Sequence, residues 1–209
     1  MPLWWYMKNK IIFATNNADK FKEIREIMGD LGLDVVAMGE AGIVLDIEET
    51  GKTFLENAVL KARAVHALAP PGALVLADDS GLAIDYLDGE PGVYSARYMG
   101  EQTPYSVKNQ NLIDRLDGVP DDERSARFVC AIAAVLPDGR LLNCEGVMEG
   151  RIAYAESGDN GFGYDPIFYL PEYGMTSAAL PREKKNQISH RAQALYGMKR
   201  MLVDFLEGR

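Results

Sequence analysis

"KIIFATNNADKFKEIREIMGDLG", residues 10 to 32, sets the pattern for the whole chain. Its first residues, with Ile11, Ile12 and Phe13 in sequence, read as a buried strand over 10–15. The polar turn "NNADK" follows. From Phe21 the apolar positions Ile24, Ile27, Met28 and Leu31 keep helical spacing, with Gly29 and Gly32 as the stop. A buried strand that feeds directly into an amphipathic helix is the building unit of an α/β fold.

The pattern continues downstream. "DVVAM" (34–38) and "GIVLDI" (42–47) are short strand candidates. In "TGKTFLENAVLKARAVHAL" (50–68), Thr53 and Glu56 form a capping box, Phe54, Ala58, Ala62, Val65 and Ala69 line one face, and Pro70-Pro71-Gly72 ends the helix. "ALVLA" (73–77) is a second buried strand running directly into "DDSG", with "LAIDYL" after it. A shorter helix is expected over 105–116. Residues 126–155 read as a long hairpin turning at Pro137-Asp138-Gly139, with another strand after it. A terminal helix starts near Ser189, its apolar stripe carrying Ala192, Leu195, Met198, Leu202 and Phe205. This order predicts an α/β protein with a mixed sheet, and a single domain over 10–209 preceded by an extension at 1–9, since no long Pro/Gly/Ser linker divides it.

The chain has 209 residues, 47% hydrophobic and 25% charged, enough for a packed core. Net charge is −9 and the pI about 4.8, a poor match to nucleic acid or an anionic membrane surface. No apolar run approaches the ~20 residues that span a bilayer, and "MPLWWYMKNK" lacks the regions of a signal peptide. Cys130 and Cys144 show no metal-ligand spacing and read as reduced thiols. The expectation is a soluble cytoplasmic protein.

Polar residues concentrate at four places. Thr15 to Lys20 open a helix, where backbone N–H groups and the dipole favour an anion and Lys20 adds charge; plain N-capping by Asn17 is the alternative. Glu48 and Glu49 precede a helix, a favourable place for acids on electrostatic grounds alone. Asp78 and Asp79 close an apolar strand and so set like charges together, which invites a cation; hard cations such as Mg²⁺ take one or two carboxylates and leave positions for phosphate oxygens. Lys184, Lys185, His190 and Arg191 gather at the start of the last helix, against its dipole, where an anionic ligand or a solvated face would explain them.

"SGDNGFGYDPIF" (157–168) puts Phe162, Tyr164 and Phe168 on a glycine-rich loop. An aromatic face stacks on a nucleobase, and Gly161 and Gly163 beside Phe162 let backbone approach a flat ligand. Asp165 would then bond a donor on base or ribose. A loop pinned to the core is the other reading.

"ATNNADKFKEI", "EETGKTFLENAVLKA", "LADDSGLAIDYLDGEPGVYSARY", "GFGYDPIF" and "KKNQISHRAQAL" together resemble the Ham1/inosine triphosphatase family, house-cleaning pyrophosphatases of non-standard purine nucleoside triphosphates. The resemblance runs from Lys10 to the last helix. It implies an elongated two-lobed α/β fold around a long mixed β-sheet with flanking helices, an active site in the cleft between lobes, a homodimer and Mg²⁺ dependence. By the same resemblance Thr15, Asn17 and Lys20, with Asn16, Ala18 and Asp19 between them, match the phosphate-binding motif. Glu49 and Asp79 match the metal-site acids. Ser80 matches a substrate contact, Phe162, Gly163, Tyr164 and Asp165 the base-binding motif, and Lys185, His190 and Arg191 the base and phosphate site. Residues 1–9 precede the usual start; Trp4, Trp5 and Tyr6 would form an ordered cap, a dimer contact or a misassigned start.

The implied reaction is hydrolysis of ITP, dITP or XTP between the α- and β-phosphates. Asp79 would take the water's proton and Lys20 would stabilise developing charge. A pyrophosphatase of modified pyrimidines, as in the Maf group, and a nucleotide-binding regulator without turnover are the rivals.

Overall fold

The computed structural model describes residues 10–15, 17–29 and 32–208; the 1–9 extension, Asn16 and Leu31 lie outside the described residues. The elements are β1 (Lys10–Phe13), α1 (Ala18–Met28), β2 (Asp34–Ala37), α2 (Phe54–Leu68), β3 (Leu74–Ile84), α3 (Tyr105–Arg115), β4 (Ser125–Val135), β5 (Leu141–Ile152), β6 (Phe168–Leu170), β7 (Met175–Thr176), α4 (Arg182–Ile188) and α5 (His190–Leu206), with short 3₁₀ turns between. Among the described residues seven strands form one sheet, in the order β2-β1-β3-β4-β5-β6-β7. β1 pairs parallel with β2 and β3, whereas β6 pairs antiparallel with β5 and β7. The mixed α/β architecture is as the sequence predicts.

The described residues divide into two compact units, the first holding those from 10 to 79 with 130–146 and 191–208, the second holding 80–129 and 147–190. In the first unit the sheet is buried on both faces, which is why its strands read as unbroken apolar runs. Ile11, Phe13, Leu74, Leu76 and Ile132 meet α1 and α5 on one side. Ile12, Val75, Ala77 and Ala133 meet α2 on the other, through Ala58, Ala62 and Val65. The second unit packs Leu82, Ile84, Phe128, Met148, Ile152 and Phe168 with Leu112 and Leu116 at the end of α3. Cys130 is buried and Cys144 half-buried, and neither forms a disulfide.

Four expectations change. Residues 42–47 form no strand: Ile43 is buried and Val44 is 93% exposed, so the alternation is real, but the segment lies on the core without a ladder partner. β3 does not end at "DDSG" but runs on to Ile84. β5 is one continuous strand of 12 residues, with no further strand before the 157–168 loop. Lys184 and Lys185 belong to a separate helix of 7 residues, closed at Ser189 before α5 begins.

Candidate active site

Alternation along β3 decides the geometry of the acidic pair. Leu74 and Leu76 face α1 and α5, so Asp78 faces them too; Val75 and Ala77 face α2, and so does Asp79. The two carboxylates therefore do not crowd each other, which corrects the expectation of like charges side by side.

Asp78 is buried and meets Lys20 Nζ at 3.0 Å and Arg191 Nε at 3.6 Å. Burial alone would push its carboxyl up; Lys20 and then Arg191 outweigh that and hold it well below the usual range. Arg191 Nη1 also meets Glu23 Oε2 at 2.6 Å, from the buried face of α1. Lys20 is aimed from the first turn of α1, where Asn17 Oδ1 accepts the N–H groups of Asp19 and Lys20, each at 3.0 Å, and Asn17 N–H donates to Thr15 Oγ1. Asn17 is thus an N-cap. Ala18 and Asp19 are the first residues of that helix.

On the other face, Lys61 Nζ lies 2.6 Å from Glu49 Oε1 and 3.0 Å from Asp79 Oδ1. Asn57 Nδ2 donates to Asp79 Oδ2 at 3.1 Å, while Asn57 Oδ1 accepts Gly51 N–H at 2.7 Å. A side chain at Gly51 would stand 2.5 Å from that amide oxygen, so only glycine lets the loop before α2 seat Asn57. Burial, and after it the Glu49 charge, push the Asp79 carboxyl up against the pull of Lys61. Lys61 itself stays above its ordinary value: burial lowers it, and Asp79, Asp78 and Glu49 together overcome that.

Thr15, Asn17, Lys20, Glu49, Asp79 and Arg191 are thereby brought together with three residues that sequence reading missed, Asn57, Lys61 and Glu23. Asn57 and Lys61 are polar residues one turn apart on the otherwise apolar face of α2, and Glu23 sits beside Ile24 on that of α1. A polar residue on a buried stripe was the available signal. Among the described residues no group of three or more His, Cys, Asp or Glu could hold a metal. Glu49 and Asp79 nonetheless converge on one cation position, that of the Lys61 ammonium, and a hard cation that takes two carboxylates and fills its shell with water and phosphate oxygens fits such a pair.

In the second unit, Asp165 is buried and Lys185 Nζ meets its Oδ2 at 2.7 Å; Phe162 N–H donates to the same oxygen and Ser177 Oγ to Oδ1. Gly161 is required at φ +84, because a side chain there would meet Asp165 Oδ2 at 2.3 Å. Lys185 Nζ lies 5.2 Å from the Phe162 ring, which is half-buried. Tyr164 and Phe168 are core residues: the Tyr164 hydroxyl donates to Ser95 O at 2.7 Å, and Phe168 packs on Phe128. His190 stacks on Phe128 at 4.7 Å, and Ser80 is half-buried in β3.

A sequence profile of the Ham1 family matches residues 11–201. The chain belongs to the Ham1 family. It is 48% identical over 202 residues to a dITP/XTP pyrophosphatase of Clostridium perfringens, covering 95% of this chain and 99% of that protein. A dITP/XTP pyrophosphatase of Desulforamulus reducens is 50% identical over 186 residues, 89% of this chain and 92% of its own. Among solved structures, a HAM1 protein from Coxiella burnetii superposes with a TM-score of 0.83 at 44% identity, covering 93% of this chain and 98% of that one. The Staphylococcus aureus Ham1 protein gives 0.82 at 42%, covering 95% and 98%.

Proposed function

We propose that this Ham1-family chain hydrolyses non-standard purine nucleoside triphosphates, dITP, ITP and XTP, to the monophosphate and pyrophosphate. The observation that carries the reading is the division of charge across β3. Asp78 holds two cations, Lys20 and Arg191, on one side, and Glu49 and Asp79 share one cation position on the other. A polyanionic substrate needs the first and its hydrolysis the second. Relatives named dITP/XTP pyrophosphatase, matched over nearly their full length, support the same substrate class.

Lys20 and Arg191 would bind and orient phosphate oxygens, exchanging Asp78 for the substrate's charge. Asp79, with its carboxyl raised by burial and by Glu49, is the group suited to take a proton from the attacking water. Asn57 holds that carboxylate in place by donating to Oδ2. Mg²⁺, held by Glu49 and Asp79, would neutralise the triphosphate and favour ionisation of bound water. Phe162 would stack on the base, and a pocket built for a 6-oxo edge rejects adenine by leaving buried polar groups unpaired. The homodimer is carried by the family resemblance alone, and the cytoplasmic setting by the two cysteines that read as reduced thiols.

The test is pyrophosphate release from ITP, dITP, XTP, ATP, GTP and dTTP at equal concentration, with Mg²⁺ and with chelator. Chelator-sensitive release confined to the inosine and xanthosine substrates is expected. Release from ATP or dTTP at the same rate would overturn the substrate class; no release from any would overturn the enzyme. No helix among the described residues is long and apolar enough to cross a membrane.

A further inference from the structure

Helix α3 lies outside the five family stretches, yet one face of it grips the Phe162–Asp165 turn. In that turn Asp165 N–H donates to Phe162 O, Gly163 has φ +68, and Tyr164 follows at φ −90 and ψ 3. Those dihedrals suit a type II′ turn, which calls for glycine at its first central position. Asn109, from α3, donates its Nδ2 to Gly163 O at 3.2 Å and to Glu156 Oε1 at 2.6 Å. Both partners only accept, so the amide has one orientation. Tyr105, one turn earlier on the same helix face, meets the Tyr164 ring edge-on at 5.2 Å.

A peptide group is planar and trans, so fixing the Gly163 carbonyl also fixes where the Tyr164 N–H points. Among the described residues no acceptor meets that N–H. Asn109 is itself buried and its Oδ1 has no partner among them, an arrangement that packing alone disfavours. We infer that Asn109 is a positioning residue for base recognition, holding the turn beside Phe162 in the one conformation that presents its backbone to the nucleotide base. The inference rests on the proposed function and adds a helix to the residues that set selectivity.

The variants are Asn109→Ala, the isosteric Asn109→Asp, Glu156→Ala and Glu156→Gln. Each is tested by melting temperature, by KM and kcat for dITP, by equilibrium dITP binding, and by inhibition with inorganic tripolyphosphate, which has no base. Losing one hydrogen bond to the turn should raise the dITP KM about fivefold while kcat changes little. Tripolyphosphate inhibition should not move. Asn109→Asp, which turns a carboxylate toward two acceptors, should be worse than Asn109→Ala. Glu156→Gln keeps the acceptor and should behave as wild type. If Asn109→Ala does not fold, Glu156→Ala, at an exposed position, should give the same split at smaller size. An unchanged dITP KM, or equal losses for dITP and tripolyphosphate, would overturn the inference. Should the wild type bind dITP without hydrolysing it, the function reading fails alone, and Asn109 is judged by the dITP binding constant.

Discussion

Asp78 and Asp79 are adjacent in sequence and serve opposite faces of one strand. Asp78 neutralises Lys20 and Arg191, whereas Asp79 shares Lys61 with Glu49. Their substitutions should therefore differ in kind. Asp79→Asn should lower turnover by roughly 10²–10⁴-fold, the range for losing a general base, with the melting temperature nearly unchanged. Asp78→Asn should cost about 3 kcal/mol in urea unfolding, because it leaves the buried Arg191 guanidinium and the half-buried Lys20 ammonium short of a counter-charge. Wild-type stability of Asp78→Asn would show that the pair does not divide the work this way.

Lys61 occupies the point on which Glu49 and Asp79 converge. Replacing it with Met removes a competitor for a divalent cation and leaves two carboxylates facing each other. Direct calorimetric binding of Mn²⁺ should tighten at least about tenfold, equivalent to one pKa unit of electrostatic change, even as turnover falls. Weaker Mn²⁺ binding would mean that the ammonium orients the carboxylates and does not stand in for the ion.

Most of this architecture was legible because local pattern and tertiary context agree. β1 and α1 each announce themselves by period, and Thr53 caps α2 as written. The misses share a physical cause. Residues 42–47 alternate as a strand does, but alternation reports one buried face, not a ladder partner. "DDSG" looks like a strand end because two acids and a glycine are poor strand formers, and only the cations on either face let β3 continue through them. Lys61 was overlooked for the converse reason. Its long apolar stem suits the α2 stripe, and nothing in one sequence says that its ammonium ends between two acids.

Phe162 and Phe168 separate the two roles of the aromatic loop. Phe168 is fully buried, so Phe168→Ala should cost about 3–5 kcal/mol and lower the melting temperature sharply. Phe162 is half-buried over Lys185. Phe162→Ala should leave the melting temperature nearly unchanged and raise the dITP KM roughly tenfold, within the range for one lost base–aromatic stack. Equal KM values for wild type and Phe162→Ala would return that ring to a purely structural role.

Tyr164 supplies a prediction in pH. Its ring is in the core, its hydroxyl donates to Ser95 O at 2.7 Å, and burial, then Tyr105 and Tyr98, push its pKa up. At pH 8 Tyr164→Phe loses this bond and strands a buried carbonyl, a deficit of about 1–3 kcal/mol. Above about pH 10 the unfolded tyrosine ionises while the folded one stays neutral. The unfolded chain then binds fewer protons, so wild-type stability falls with rising pH through this residue, whereas the Phe variant lacks that loss. Urea unfolding at pH 8 and pH 11 should therefore show the gap between the two proteins narrowing by about 1.4 kcal/mol for each pH unit above the unfolded value. A constant gap would mean that Tyr164 ionises as readily in the folded protein as in the unfolded chain, and that its hydroxyl is not sealed against Ser95.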